Sequence, residues 1–220
     1  MMEENYIRWH RKMRAERAVK NLKQNLFEAR YIEEATQAKE VIMNMLPKEG
    51  VIGLGDSLTL HELHIIEALK EGGYNFLNPW EPGITREESL SRRRQAFQAE
   101  VFLTGTNAVT LDGKIVSTDG LGNRVAALIF GPKKVIVVAG INKLVENVEE
   151  ALRRIKGIAA PLNVRRHTYP PDIRPPCGDT GFCSECKPPR RICCYTVIIE
   201  GCSRDPKRIT VLLVGQELGF

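Results

Sequence analysis

All six cysteines of this 220-residue chain fall between Cys177 and Cys202. Their order is Cys177, Cys183, Cys186, the adjacent pair Cys193 and Cys194, and Cys202. Cys183-Ser184-Glu185-Cys186 is a CxxC, a spacing that lets two thiolates meet one metal ion. Cys177 lies just upstream and Cys193 just downstream, so four sulfurs can converge. A clustered thiolate set suits zinc or an iron–sulfur cluster. An even cysteine count also suits disulfides in a short secreted chain, and plain buried or redox-active thiols are a third reading. The spacing does not choose the metal, because the run is neither a ferredoxin pattern nor a pair of CxxC knuckles.

Three glycine-containing loops offer a second chemistry. Gly53-Leu54-Gly55-Asp56-Ser57-Leu58-Thr59 joins a strand to a helix, where glycines let the backbone approach a ligand and Ser57 or Thr59 can cap the helix. Ser117-Thr118-Asp119-Gly120-Leu121-Gly122-Asn123-Arg124 is richer. Gly120 and Gly122 free the backbone, Asn123 can bridge donor and acceptor, and Arg124 can hold a carboxylate or phosphate in a forked contact. Thr104-Gly105-Thr106-Asn107 ends another strand and can line the same cleft. For each loop the plain alternative is a structural turn. Neither GxxxxGK nor GxGxxG is present, so no nucleotide cofactor motif is visible. His61 and His64 are three apart on one expected helix, but His61-Glu62-Leu63-His64 falls one residue short of HExxH. There is no nucleophile elbow and no paired-carboxylate signature. These residues imply a small anionic ligand and a metal site, and they leave open whether the chain is an enzyme.

The elements that must position these residues follow from periodicity. Ala15, Ala18, Val19, Leu22 and Leu26 recur at helical spacing, and a second helix is expected over 33–46. Then strands and helices alternate: a strand at 51–55, a helix at 59–71, a strand at 74–77, a helix over 85–99 and a strand at 101–104. Thr85 and Glu88 form a capping box at the start of the 85–99 helix. Asp112-Gly113 between two apolar runs predicts a two-residue hairpin turn, followed by a helix near 125–130, a strand at 135–139 and a helix over 144–155. This order predicts an α/β fold with a mainly parallel sheet covered on both faces. After Gly157 the prolines predict an irregular connection to the cysteine loop, and 195–200 with 209–214 read as a closing antiparallel pair. The expected organisation is a single α/β domain over 1–220 in which 157–202 is a proline- and cysteine-rich metal-binding extension.

Composition narrows the setting. Hydrophobic content of 43% and charged content of 27% are ordinary for a soluble globular protein. Net charge is +5, concentrated at Arg8, Arg11, Lys12, Arg14, Arg17, Lys20 and Lys23. Aromatic content is only 6% and does not interleave with these cations, so a solvated helix face is expected rather than a nucleic-acid surface. The charged first residues do not form a secretory signal, and Val135 to Ile141 is too short to cross a bilayer. A cytoplasmic protein with reduced thiols is expected. Its oligomeric state is open, a homo-oligomer included.

Four stretches together carry a resemblance. They are Phe102 to Thr110, Asp112 to Val116, Gly120 to Ala126, and Phe130-Gly131-Pro132-Lys133-Lys134-Val135. The chain resembles the lactate-utilization (LUD) domain family, from the N-terminal helix to the closing Val211 to Gly219, and is similar to its short members with a cysteine-bearing tail. The resemblance implies a three-layer fold like that of ribose-5-phosphate isomerase, glucosamine-6-phosphate deaminase and CoA transferases. It implies that Gly53 to Thr59 and Gly120 to Arg124 are neighbouring walls of one cleft. It matches Cys177, Cys183, Cys186 and Cys193 to the family's Cys, CxxC, Cys arrangement, with Cys194 and Cys202 additional. It further implies a role in oxidation of lactate to pyruvate alongside iron–sulfur partner proteins. The acid, base and CoA-transferase glutamate motifs of the enzymes sharing that fold are not found here.

Overall fold

A strand whose residues are nearly all apolar must be covered on both faces. The computed structural model describes residues 2–220, with side chains from residue 5 onward. The chain begins with α1 (Met2–Gln24), β1 (Glu28–Ile32), α2 (Ala35–Met45) and β2 (Ile52–Leu54). It continues through α3 (Leu58–Glu62), α4 (Ile65–Glu71), β3 (Phe76–Leu77), α5 (Arg86–Gln95) and β4 (Val101–Gly105). The hairpin β5 (Ala108–Thr110) and β6 (Ile115–Asp119) follows, then α6 (Asn123–Ile129) and β7 (Lys134–Gly140). The remainder is β8 (Leu144–Val145), α7 (Val148–Arg154), α8 (Ala160–Arg166), α9 (Cys177–Thr180), β9 (Tyr195–Ile199) and β10 (Ile209–Val214).

Six strands form one parallel sheet in the order β1-β10-β7-β4-β2-β3. Along β7 the side chains alternate between two cores. Val135, Val137 and Ala139 pack with α1, α6 and the smaller sheet, whereas Ile136 and Val138 pack with α2, α3 and α4. The smaller sheet, in the order β8-β5-β6-β9, packs Ala108 and Val116 against Ala151 and Ile155. The architecture is the α/β arrangement with a doubly covered parallel sheet that the alternation predicts.

Several elements differ from the sequence reading, each for a physical reason. β9 and β10 are not an antiparallel pair. β9 runs antiparallel to β6 at the edge of the smaller sheet, and β10 lies parallel between β1 and β7. All of β10 is buried, as its continuous Val211-Leu212-Leu213-Val214 run requires of a central parallel strand. β1 has no counterpart in the sequence reading, because its short charged-apolar alternation is decisive only once β10 offers it an edge. The helix expected over 59–71 breaks at His64, whose φ of 53° starts a separate helix, so His61 and His64 do not share one helix face. Beyond Gly157 the chain remains helical: Ile155–Ala159 is a π-helical turn leading into α8, and Pro161 sits in the first turn, where a missing N–H is tolerated.

Local signals with a defined geometry hold. Thr85 Oγ1 accepts from Glu88 N at 3.1 Å and Thr85 N donates to Glu88 at 2.7 Å, completing the capping box. The basic face of α1 is engaged within the chain: Arg8 pairs with Glu33 and Glu34, Arg11 with Glu217 and Arg14 with Glu146. Among the described residues no helix is long and apolar enough to cross a membrane.

β2 and β4 approach so closely at their carboxyl ends that a Cβ on Gly55 would collide with the Thr104 hydroxyl and stand 2.8 Å from its Cβ. Gly55→Ala is therefore expected to cost about 1–3 kcal/mol of stability by overpacking. Urea unfolding reads this as a lowered midpoint; an unchanged midpoint would contradict this packing.

Candidate functional site

The carboxyl ends of parallel strands are where open α/β sheets leave crevices. Here the chain after β2, β4, β6 and β7 lines a cleft of about 560 Å³. α5 contributes Arg86, Leu90 and Arg93, the helical run from Ile155 contributes Ala159, Ala160, Asn163 and Arg166, and His167, Tyr169, Ile192, Cys193 and Phe220 close it.

Of the residues expected to contact a ligand, Asp56, Ser57, Gly105, Thr106, Asn107, Asp119, Gly120, Asn123 and Arg124 line this cleft. Gly53, Gly55, Thr59 and Gly122 do not. Gly53 is packed against Ala96 and Phe102, and Gly55 against Thr104, so both permit strand packing. Thr59 is fully buried, and Gly122, at a φ of 85°, starts α6 beside the Tyr195 ring.

Arg124 has a different engagement from the forked ligand contact expected of it. Its Nε donates to Asp119 Oδ1 at 2.9 Å, and one terminal nitrogen donates to Asn107 Oδ1 and Thr118 O, both at 2.9 Å. The other terminal nitrogen reaches Gly105 O at 3.3 Å. Asp119 Oδ2 accepts from Val125 N at 3.0 Å. The carboxylate held by the arginine and by the first turn of α6 is thus the protein's own. Arg154 adds a second tie, donating to Asn107 O at 2.7 Å and Asn142 O at 3.0 Å.

Asp56 is held by Arg166 at 2.5 Å and by His167 Nε2 at 3.0 Å. Burial pushes its carboxyl up. The hydrogen bond from His167 and the charge and hydrogen bond of Arg166 outweigh that and bring it down to about 2. With both cleft carboxylates paired, the remaining charge is cationic. Arg86 and Arg93 make no ion pair among the described residues, and Arg93 lies 5.2 Å from the centre of the Trp80 ring.

Lys143 is the residue sequence reasoning missed most completely. It lies just past β7, lines the cleft, and is only 3% exposed. Its Nζ donates to Thr59 Oγ1 at 2.7 Å. Burial, and then the charges of Arg154 and Arg124, push its ammonium down to about 7. In the same cleft, the Ser57 hydroxyl is buried with no hydrogen-bond partner among the described residues. The position of Lys143 after an apolar strand was a usable signal, because strand ends are where such sheets place functional groups. Arg93, Arg166 and His167 gave no such signal, since only tertiary packing brings them to the cleft.

Cys177, Cys183, Cys186 and Cys193 line one small cavity of about 30 Å³. Arg191 knits this loop, donating to Cys193 O at 2.8 Å and Cys186 O at 3.0 Å. Burial and then the neighbouring thiols Cys177 and Cys183 push the Cys193 thiol up to about 11, and burial followed by Cys186 and Cys183 raises Cys177. Among the described residues no three His, Cys, Asp or Glu side chains stand in metal-holding geometry. Cys194 is exposed beside Arg191 O, and Cys202 is buried in the main core. All six are free thiols. Cys193 and Ile192 line both the cysteine cavity and the basic cleft.

No curated protein matches the chain. Among solved structures, a DUF162 family protein from Deinococcus radiodurans is similar over 94% of this chain and 98% of its own, at 16% identity and a TM-score of 0.51. Ribose 5 phosphate isomerase A from Neisseria gonorrhoeae is similar over 59% of this chain and 65% of its own, at 15% identity and a TM-score of 0.34. The eIF2B delta structure from Chaetomium thermophilum is similar over 55% of this chain and 52% of its own, at 19% identity and a TM-score of 0.32. The LUD domain profile matches residues 15–214, and the chain belongs to the LUD domain family.

Proposed function

We propose that this protein serves the utilization of lactate or a related 2-hydroxy acid as one subunit of a multi-protein system. In this reading the cleft holds a small carboxylate or phosphate anion, and the cysteine loop within 157–202 holds zinc or an iron–sulfur cluster. Family membership supports the metabolic setting. The observation that carries the site reading is the shared wall: Cys193 and Ile192 face both the cysteine cavity and a cleft whose carboxylates are already paired. The unpaired cations Arg86 and Arg93 supply the attraction for an anion.

The donor set fits a thiophilic metal in kind, with four sulfurs around one cavity, although no three of these thiols stand in metal-holding geometry. Bound there, zinc would staple the loop, and a cluster would add one-electron chemistry. Cys177, Cys183, Cys186 and Cys193 are the proposed ligands, iron–sulfur proteins of lactate oxidation the proposed partners, and the reducing cytoplasm the proposed setting.

The size of the cleft supports a second reading. A volume near 560 Å³ lies within the roughly 300–1,000 Å³ of sites for drug-sized ligands and exceeds what a hydroxy acid alone fills. With Trp80 beneath Arg93 and with Leu58 and Leu90 in the wall, a sugar-phosphate or acyl-CoA type ligand also fits. The protein would then be a stand-alone enzyme or binding protein with a structural metal. A colourless zinc protein that co-purifies with a phosphorylated metabolite would favour this alternative, whereas visible absorbance after oxygen-free purification would favour the first reading.

Cys186→Ser is expected to lower the metal content of oxygen-free protein and to increase proteolysis of the cysteine loop while sparing the parallel sheet. Metal analysis with native mass spectrometry checks this, and unchanged stoichiometry would remove Cys186 from the ligand set. Deletion of the gene is expected to impair growth on lactate, and the purified chain alone is expected not to reduce a dye with lactate. Normal growth of a deletion strain lacking any paralogue would shift the assignment to the stand-alone reading.

A further inference from the structure

We propose that Lys143 and Ser57 form the recognition floor of the cleft, where a small carboxylate or oxyanion binds together with a proton taken up by the lysine amine. This deepens the anion reading of the cleft and rests on it.

Two independent features converge. Ser57 is 8% exposed, lines the cleft, and its hydroxyl has no hydrogen-bond partner among the described residues. An unpartnered buried hydroxyl is costly unless something else satisfies it. Lys143, in the same cleft, has a hydroxyl partner in Thr59 and no carboxylate within ion-pair distance among the described residues. Thr59 lies two residues after Ser57, so the start of α3 carries both Ser57 and the hydroxyl that accepts from Lys143.

The charged neighbours of Lys143 come from three elements: Arg154 from α7, Arg124 from α6 and Glu62 from α3. The arginines do not titrate near neutrality, and Glu62 accepts from Gly219 N at 2.6 Å. Near pH 7 the buried amine is therefore shared between its neutral and charged forms. An anion beside it favours the ammonium form. The amine gains its proton from solvent, and no bond of the anion is made or broken. The sign follows: below about pH 7 the lysine is already charged and binding needs no proton. Above it, binding takes up a proton, and affinity falls towards about tenfold per pH unit.

The probes are pyruvate and sulfate, neither of which titrates near neutrality. Calorimetry in buffers of different ionisation heat, from about pH 6 to about pH 9, measures proton uptake. NMR of ε-labelled lysine follows Lys143 in the unaltered protein. The expectation is a Lys143 titration near neutrality that either anion raises, with proton uptake on binding. Lys143→Met should abolish the uptake and weaken binding, Lys143→Arg should bind without pH dependence, and Ser57→Ala should bind more weakly with uptake retained. His167 also lines the cleft, and proton uptake persisting in Lys143→Met would overturn the proposal. An ordinary lysine titration at Lys143 would also overturn it without recourse to any variant. Binding that perturbs Arg93 but not Lys143 would overturn the floor and leave the anion cleft standing. If neither probe binds, both fall.

Discussion

Arg124 and Asp119 meet at 2.7 Å with their side chains only 12% and 8% exposed, and the walls of the cleft depend on that pair. Removing two charges from water costs several kcal/mol per ion unless the remaining donors and acceptors are satisfied. They are: Asp119 also takes the amide of Val125, and Arg124 also takes Gly105 O, Asn107 Oδ1 and Thr118 O. The partners belong to the ends of β4 and β6 and to the start of α6. Arg154 ties α7 to the same Asn107. A network satisfied at every member has one arrangement, so that wall of the cleft is rigid.

In the proposed anion reading, that rigidity leaves recognition to other groups. Loops that look in sequence like a cradle for an anion already contain one. The helices behind them are short, five residues in α3 and seven in α6, so backbone dipoles offer little. What remains for a ligand is side-chain chemistry from elsewhere: Arg86 and Arg93 on α5, Lys143 after β7, and the free hydroxyl of Ser57. α5 buries none of its residues and is fixed by its capping box and by Arg92, which donates to Asn78 O at 2.8 Å. A helix bound so lightly to the body can carry its arginines over the cleft without belonging to the core.

The parts legible in the sequence are those whose geometry is set within a few residues. A hairpin forms at Asp112-Gly113, its turn lengthened to three residues by Leu111; Thr85 and Glu88 cap α5, and the apolar run after Lys134 makes a central strand. The unread parts depend on distant partners. Nothing near Glu28 to Ile32 reveals that β10 will flank it, and nothing near Pro161 reveals that a π turn will carry helix past it. The same division runs through the site. The glycine loops are visible as turns, but only packing shows that Gly55 must clear Thr104 and that Gly105, at the cleft, must clear Ser57. Four cysteines were visible as a cluster, but their sharing a wall with the cleft required α8 and the 186–194 loop to be placed.

β10 is the last strand in sequence yet lies inside the large sheet, between the first strand and β7. During synthesis, β1 and β7 are made well before the segment that joins them, and the edge strand β1 has no neighbour in the sheet until β10 is made. Non-local parallel pairing of this kind is slow, and an open strand edge is prone to improper association. The cysteine loop emerges before β10 and lies between the open sheet and its closing strand. Loading of that loop with metal would coincide with the period when the nascent chain is least protected, and would shorten the tether that β10 must close. The order of the chain thus places the emergence of the cysteine loop and the closing of the sheet in one interval of synthesis.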